Sequence, residues 1–202
     1  MKEHPIFARI WDPLVRLGGR PEQEHRAELV RGLRGRVLEL GAGTGLNFER
    51  YRRGVDVVAV EPESTMAARA AGRARRAAAS VRVLRGVAED LPFPDDSFDA
   101  VVACYVLCSV ADQRRAIEEI RRVLRPGGEV RVYEHVRSSD PRWARVQDAV
   151  TPAWSRLGCN CHPNRDTAAA LESAGFRVEF RAFSFGPPAP VRPHLLGVAR
   201  LP

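Results

Sequence analysis

Short apolar runs alternate with amphipathic stretches along most of the chain, and this pattern predicts an α/β fold. Strands are predicted at 36–40, 55–60, 81–85 and 98–103, and helices near 47–52, 63–78 and 112–124. Strands that alternate with helices form parallel sheets, because each crossover helix returns the chain to the same edge. We therefore expect a Rossmann-like, doubly wound sheet whose helices cover both faces.

The rest of the chain is expected to extend this sheet to seven strands. A fifth strand is predicted at 129–135, a helix near 164–174, and two closing strands at 176–183 and around 191–200. Because the closing strands are joined by a turn, they should form an antiparallel end to a mostly parallel sheet. Ahead of the first strand, apolar spacing predicts helices at 4–17 and 21–33.

The length of 202 residues favours one domain over 1–202. Within it, the helices of 1–34 should cover the site, and 136–165 should form an insertion near an acceptor pocket. The net charge of +7 comes almost wholly from arginine, since Lys2 is the only lysine. We interpret this charge as a solvated surface, because no basic block is interleaved with the aromatic residues that nucleic-acid binding favours.

The lack of an evident targeting signal and the small number of cysteines predict a cytoplasmic protein. No window approaches the ~20 continuous apolar residues of a membrane span, and no secretory signal is evident, so we expect no stable membrane insertion. The four cysteines are expected to be thiols, as a chain of this size does not need disulfides. The sequence leaves the oligomeric state open.

The segment from Arg36 to Asn47 indicates a cofactor site, because a strand runs into a turn with three glycines within five residues. Glycine lets the backbone turn sharply and approach a ligand closely. Glu61 follows about 20 residues after Gly41, at the end of the next strand. At this position a carboxylate can accept hydrogen bonds from the two hydroxyls of a ribose.

The identity of the cofactor depends on Glu39, which precedes the turn. A carboxylate at this point would repel a pyrophosphate and attract a cationic amino-acid group. S-adenosylmethionine carries both a sulfonium and an ammonium, so it suits this pattern better than a nicotinamide dinucleotide. The turn resembles motif I of the class I methyltransferases.

Two further segments are assigned to the cofactor from the same family resemblance. The loop after the third strand, Val87-Ala88-Glu89, resembles the adenine-binding loop of the methyltransferases that include the ubiquinone C-methyltransferases. Cys104 and Tyr105 follow the fourth strand and would flank the methionine portion. The complete set of expected cofactor residues is Glu39, Gly41, Ala42, Gly43, Thr44, Gly45, Asn47, Glu61, Pro62, Met66, Val87, Ala88, Glu89, Cys104 and Tyr105.

The candidate catalytic residues are His135, which ends the fifth predicted strand, and His194 in the last one. An imidazole with an ordinary pKa near ~6.5 can accept a proton at neutral pH. A histidine hydrogen-bonded to backbone is the alternative interpretation. Cys159-Asn160-Cys161-His162 carries zinc-ligand residue types, but its spacing fits no known zinc motif. We therefore expect no metal there and interpret the segment as a loop at the mouth of the substrate pocket.

Further motifs resemble the microsomal alkyl-thiol S-methyltransferases and their bacterial relatives. They are V-L-C-S-V at 106–110, L-R-P-G-G at 124–128, Y-E-H-V at 133–136, G-C-N at 158–160, L-E-x-A-G-F at 171–176 and V-R-P-H at 191–194. The resemblance implies a class I fold and transfer of a methyl group from S-adenosylmethionine to a small-molecule acceptor, a thiol. Two departures matter. The microsomal relatives begin with a hydrophobic membrane anchor that is not seen here, so membrane attachment is not expected, and 161–163 differs after the shared G-C-N, where a substrate loop could alter selectivity.

Two other functions stay open from the sequence. One is methylation of nitrogen, oxygen or carbon in an amine, a phenol, a quinone or a lipid head group, because fold does not fix acceptor chemistry. The other is a module without turnover that binds the cofactor or RNA. Nucleic acid is not an expected partner, because the arginines form no continuous basic stripe.

Overall fold

The computed structural model describes residues 19–186 and 189–201, and the helix expected at 4–17 lies outside this range. The helices are α1 (Gly19–Leu29), α2 (Ser64–Ala74), α3 (Gln113–Val123), α4 (Pro141–Leu157) and α5 (Thr167–Ser173), with a short 3-10 helix at Phe48–Arg50. The strands are β1 (Arg36–Leu40), β2 (Asp56–Val60), β3 (Ser80–Leu84), β4 (Phe98–Cys104), β5 (Leu124–His135), β6 (Arg177–Ser184) and β7 (Pro193–Arg200).

In the described part of the chain, seven strands form one sheet in the order β3-β2-β1-β4-β5-β7-β6. Strands β1 to β5 pair in parallel with one another. Strand β7 runs antiparallel to both β5 and β6. This arrangement confirms the predicted fold class. The order reverses between β1 and β4, and in doubly wound sheets ligands bind at the carboxyl ends of the strands at such a point.

Alternate residues of the central strands pack against two different helical layers. Leu38 and Ile117 belong to a core on the side of α3 and α5. Val37 and Leu29 belong to a core on the opposite side, with α1 and α2. A fully buried side chain of this size contributes about 1.5–3 kcal/mol. Because both faces are covered, the sheet is rigid and fixes the positions of the loops at its carboxyl edge.

The sequence placed the start of β5 too late. The strand begins at Leu124, which pairs with Phe98 across a shift in the register of β4 and β5. The segment that follows resembles a turn because Gly127 has a φ of 75°. A local bulge of this kind interrupts the hydrophobic pattern without ending the strand.

The segment 136–165, which was expected to form an insertion, contains one helix, α4, and this helix continues through Pro152. Asp140 caps it by accepting a hydrogen bond from the Arg142 amide at 2.8 Å. The buried Gln147 amide donates to the carbonyls of Val136 and Pro163 at 3.0 and 2.8 Å. Helix α4 is thereby attached to the end of β5 and to the loop that follows α4.

Across the residues that the structure describes, no helix combines the length and the apolar character needed to cross a bilayer.

Candidate active site

The glycine turn after β1 has backbone conformations that glycine adopts without strain. Gly41, Gly43 and Gly45 have φ angles of 53°, 56° and 82°. A Cβ atom on Gly41 would lie 2.5 Å from Cγ2 of Val106, and one on Gly45 would lie 2.6 Å from the Phe48 ring. The first glycine therefore allows the loop after β4 to pack directly against the end of β1.

Glu39 lies at the base of this turn and is 1% exposed. Its carboxylate accepts hydrogen bonds from the Tyr51 hydroxyl at 2.7 Å and from the Asn47 amide at 3.1 Å. Burial raises the pKa of Glu39 to about 7, although these two hydrogen bonds and Arg26 act in the opposite direction. A cationic ligand would stabilise the ionised carboxylate, since an opposite charge favours the charged form.

Glu61 follows β2 and is held by backbone amides of two different segments. Gly43 donates to one carboxylate oxygen at 2.8 Å, and Glu63 donates to the other at 2.9 Å. Burial raises the pKa of Glu61. Each oxygen keeps a lone pair for a further donor, as a carboxylate offers about four acceptor sites.

Glu63 adds an acceptor that the sequence analysis missed. One of its oxygens accepts from the Met66 amide at 2.6 Å and caps α2. The other oxygen, Oε1, is buried and has no hydrogen-bond partner among the described residues. Buried polar atoms are nearly always paired, so an orphaned acceptor next to Glu61 fits the hydroxyls of a ribose.

The other residues expected around the turn have structural contacts of their own. The buried Ala42 donates its amide to the Val60 carbonyl at 3.1 Å. Thr44 accepts from Arg73 at 2.6 Å through its hydroxyl. The Pro62 carbonyl accepts from Arg85 at 3.0 Å. The first two contacts connect the glycine turn to the end of β2 and to α2, and the third connects the segment after β2 to the segment after β3.

The loop expected to cover the adenine lies between β3 and β4. Ala88 is buried, Val87 is 37% exposed and Glu89 is half-buried. The Glu89 carboxylate accepts from the amides of Ala111 and Asp112 at 2.7 and 3.3 Å. In the structure Glu89 therefore fixes the start of α3, Ala88 packs into the core, and Val87 is the apolar side chain of the three that is exposed.

Cys104 and Tyr105 end β4, where the chain turns sharply. Tyr105 has a φ of 60°, which is uncommon for a residue with a side chain. Its ring stacks on His135 with centroids 4.4 Å apart. Burial raises the pKa of the Cys104 thiol to about 12, so it is protonated at neutral pH. A protonated thiol is a poor nucleophile, in keeping with a residue of the cofactor wall.

A buried ion pair on α1 supports this wall and was not foreseen from the sequence. Arg26 donates to Glu22 at 2.6 Å and to the Asn47 side chain at 3.0 Å. The other Glu22 oxygen accepts from the hydroxyls of Tyr133 and Tyr105 at 2.7 and 3.1 Å. Helix α1 thus joins the Glu39 network to the aromatic side chains after β4 and on β5.

Glu134, on β5, orders the loop after β4. It is fully buried, and one carboxylate oxygen accepts from the amides of Val106 and Leu107 at 2.7 and 2.8 Å. The other oxygen accepts from the Cys108 amide at 3.2 Å. Burial raises the pKa of Glu134, and the three amides counteract this shift. These contacts leave Glu134 as an anchor for the loop.

The two candidate catalytic histidines are neighbours, with ring centroids 4.8 Å apart. His194 Nδ1 lies 2.7 Å from the Arg192 carbonyl, an acceptor, so this nitrogen carries the proton. Burial lowers the pKa of both histidines, that of His135 well below its usual range, and both rings are neutral at pH 7. The structure therefore places two neutral imidazoles at the edge where β5 ends and β7 begins.

The cysteine segment at 159–162 does not act as a unit. Cys161 is buried beside His135, with Sγ 3.6 Å from Nδ1. Cys159 is only half-buried, and its pKa is raised to about 11 by burial, by Cys161, and by the carboxylates of Glu63 and Glu61. Cys108, from the V-L-C-S-V motif, lies 3.9 Å from both Cys161 Sγ and His135 Nδ1.

The sheet order, with a glycine turn after β1 and acidic residues near the ends of β1 and β2, is that of the class I S-adenosylmethionine-dependent methyltransferases. A family model described as a methyltransferase domain matches residues 38–132. The human thiol S-methyltransferase TMT1B is 36% identical over 184 residues, which cover 84% of this chain and 74% of that protein. The chain therefore belongs to the methyltransferase family that includes these thiol S-methyltransferases, and S-adenosylmethionine is its cofactor.

Relatives that are named for other acceptors are also similar to this chain. The phosphatidylethanolamine N-methyltransferase of Cereibacter sphaeroides is 36% identical over 126 residues, which cover 61% of this chain and 62% of that protein. A solved structure of a possible histamine N-methyltransferase from Thermotoga maritima superposes with a TM-score of 0.69 at 25% identity, covering 98% of this chain and 99% of that one. The family thus spans more than one acceptor chemistry.

Proposed function

We propose that this protein transfers the methyl group of S-adenosylmethionine to the sulfur of a small thiol. The observation that carries the proposal is the similarity to the human thiol S-methyltransferase over 84% of the chain. When bound, the cofactor supplies an electrophilic methyl group on a sulfonium. Methyl transfer is a direct displacement, so positioning of the two reactants contributes much of the rate.

On the cofactor side, the proposal assigns one role to each carboxylate. Glu39 binds the ammonium of the amino-acid end, because the two charges compensate each other in a buried position. Glu61 and Glu63 accept from the ribose hydroxyls, using the lone pairs that their backbone contacts leave free. The loop at 87–89 covers the adenine ring.

On the acceptor side, the proposal places the thiol beside Tyr105, His135 and His194, whose rings contact one another. A free thiol has a pKa near ~8.5 and must lose its proton to become a good nucleophile. Both imidazoles are neutral, so each retains a nitrogen with a free lone pair. His135 is the first candidate for interaction with the acceptor sulfur or its proton, and His194 is the second.

N-methylation is the second candidate, favoured by the similarity to the Cereibacter enzyme over 61% of the chain. A primary amine needs the same cofactor arrangement and also has to lose a proton. The two functions differ in the substrate atom, sulfur or nitrogen, that receives the methyl group. This difference is visible in the product and needs no assumption about the mechanism.

The test is mass spectrometry of the products formed from S-adenosylmethionine and a panel of aliphatic thiols, aryl thiols, amines and phenols. A methyl thioether formed together with S-adenosylhomocysteine would support the proposal. Methylated amines without thioethers would favour the second candidate. Because Glu61→Ala should lose cofactor binding, it serves as the control for contaminating activity. Cofactor binding without transfer to any thiol would refute the thiol assignment.

A further inference from the structure

Cys108, His135 and Cys161 form a cluster that the cofactor site does not use. The three residues come from three different places: the loop after β4, the end of β5, and the loop after α4. Their sulfur and nitrogen ligand atoms all lie within 4.8 Å of one another. Two soft thiolates and one imidazole are a ligand set that zinc prefers.

The distances within the cluster match those of a tetrahedral zinc site. Zinc lies about 2.3 Å from sulfur and about 2.0–2.1 Å from nitrogen, so tetrahedral ligands are about 3.8 Å apart for a sulfur pair and about 3.6 Å for sulfur and nitrogen. Here the two sulfurs are 3.9 Å apart, and the His135 Nδ1 atom lies 3.9 Å from Cys108 and 3.6 Å from Cys161. The ligands need to move by no more than about 0.3 Å.

Hydrogen bonds hold the two cysteine loops together independently of a metal. The His162 amide donates to the Cys108 carbonyl at 2.7 Å, and the Asn160 side chain donates to the Ser109 carbonyl at 2.7 Å. The Glu134 carboxylate fixes the Cys108 amide from the other side. Such outer contacts orient metal ligands and strengthen their binding.

We propose that Cys108, Cys161 and His135 bind a Zn²⁺ ion and leave its fourth position open for the acceptor thiol. Sites with three protein ligands and an open position are typical of catalytic zinc, and Cys₂His is one of the known sets. The zinc site follows from the geometry alone. The assignment of the fourth position to the acceptor rests on the proposed thiol methylation.

The chemistry of the open position suits a thiol. Zinc with two cysteine thiolates is neutral, and an acceptor thiol that coordinates loses its proton to solvent. The sulfur lone pair then forms the bond to the methyl carbon while the bond from that carbon to the sulfonium breaks. The electrons of the broken bond remain on S-adenosylhomocysteine, and the neutral thioether leaves because it is a weak zinc ligand. Bound in this way, the thiol needs no side-chain base, and His135 acts as a ligand.

Cobalt titration of the whole protein tests the site directly. The protein is stripped of metal, kept reduced with a phosphine, and titrated with Co²⁺, which reports tetrahedral thiolate ligation by intense visible bands and a sulfur-to-cobalt charge-transfer band. We expect one equivalent to bind and Zn²⁺ to displace it. Cys108→Ser and Cys161→Ser should weaken binding by more than the roughly 10–100-fold that loss of an outer contact costs. Cys159→Ser, two residues from Cys161, is the matched control and should bind as wild type does.

Unchanged binding in Cys161→Ser, or a spectrum without charge transfer, would overturn the site. If a serine variant misfolds, alkylation of the wild-type protein, mapped by mass spectrometry, tests the site instead. Zn²⁺ should protect Cys108 and Cys161, but not Cys159, from alkylation. Lack of protection also overturns the site.

A small aliphatic thiol added to the cobalt form should shift the charge-transfer band, and removing zinc should lower thiol methylation at least tenfold. Equal turnover with and without zinc would overturn the role of the fourth position and leave the metal site standing. If neither form methylates any thiol, the proposed function fails, and the spectra alone then decide whether the metal site exists.

Discussion

Replacing Gly41 by alanine should damage the active site through a single added methyl group. Gly41 has a φ of 53°, and its Cβ would lie 2.5 Å from Val106 Cγ2. The left-handed conformation costs alanine about 1–2 kcal/mol. Pushing the valine aside adds about 1–3 kcal/mol, as overpacking does in other cores. We expect the free energy of unfolding to fall by the sum, about 2–5 kcal/mol.

Three further variants separate the conformational cost from the clash. Gly32 has a φ of 77°, and among the described residues nothing lies within 4 Å of the Cβ atom that alanine would add there. Gly32→Ala should therefore lose only the conformational part, about 1–2 kcal/mol. In a double-mutant cycle, Val106→Ala should relieve the clash, so Gly41→Ala with Val106→Ala is less destabilised than the sum of the single variants by about 1–3 kcal/mol.

The assay is urea-induced unfolding of the four variants and the wild-type protein, together with the affinity for S-adenosylmethionine. Gly41→Ala should also weaken cofactor binding, since the displaced loop directly follows Cys104 and Tyr105, which we expect to flank the methionine portion of the cofactor. Gly32→Ala should leave binding unchanged. If Gly41→Ala costs no more than Gly32→Ala, or if the cycle is additive, the argument from close packing is wrong.

The carboxylates and the buried ion pair give three further expectations. Glu61→Ala should weaken S-adenosylmethionine binding by more than tenfold in calorimetry, because each charge-assisted hydrogen bond contributes about 1.5–3 kcal/mol; unchanged affinity would refute the ribose assignment. Because the pKa of Glu39 is raised to about 7 and the ammonium favours its ionised form, cofactor affinity should rise about tenfold from pH 6 to pH 8. A pH dependence that persists in Glu39→Gln would contradict this. Arg26→Met should lower the free energy of unfolding by about 3–5 kcal/mol by leaving Glu22 unpaired, and Glu22→Gln should restore part of that loss in urea denaturation.

The cofactor half of the site could be predicted because its signals are local in sequence. Strand β1, the glycine turn and Glu39 lie within a dozen residues, and Glu61 follows at the end of the next strand. The hydrophobic periodicity, the glycines and the charges of this short segment were sufficient to propose it as the cofactor site. Glu63 was missed because an acidic residue at a helix start is indistinguishable from an ordinary cap until the structure shows its second oxygen unpaired.

The cluster proposed to bind the acceptor could not be predicted in the same way, because its residues are distant in sequence and only the fold brings them together. Cys108 and Cys161 are 53 residues apart, and His135 lies about midway between them in sequence. The sequence instead drew attention to the contiguous segment 159–162, in which Cys159 lies outside the cluster of Cys108, His135 and Cys161. A motif search that requires short spacing cannot recover ligands contributed by a strand end and two separate loops.

The contacts between these loops also imply that acceptor selection and cofactor binding are coupled. Arg165, in the loop after α4, donates to the carbonyls of Leu107 and Val110 at 2.8 and 2.9 Å. The same β4 loop packs against Gly41 through Val106. A substitution in 158–165, the segment proposed to border the acceptor, should therefore shift the loop after β4, which is proposed to border the cofactor. Because packed interiors transmit such displacements, changes in acceptor preference within this segment should alter cofactor affinity as well as turnover.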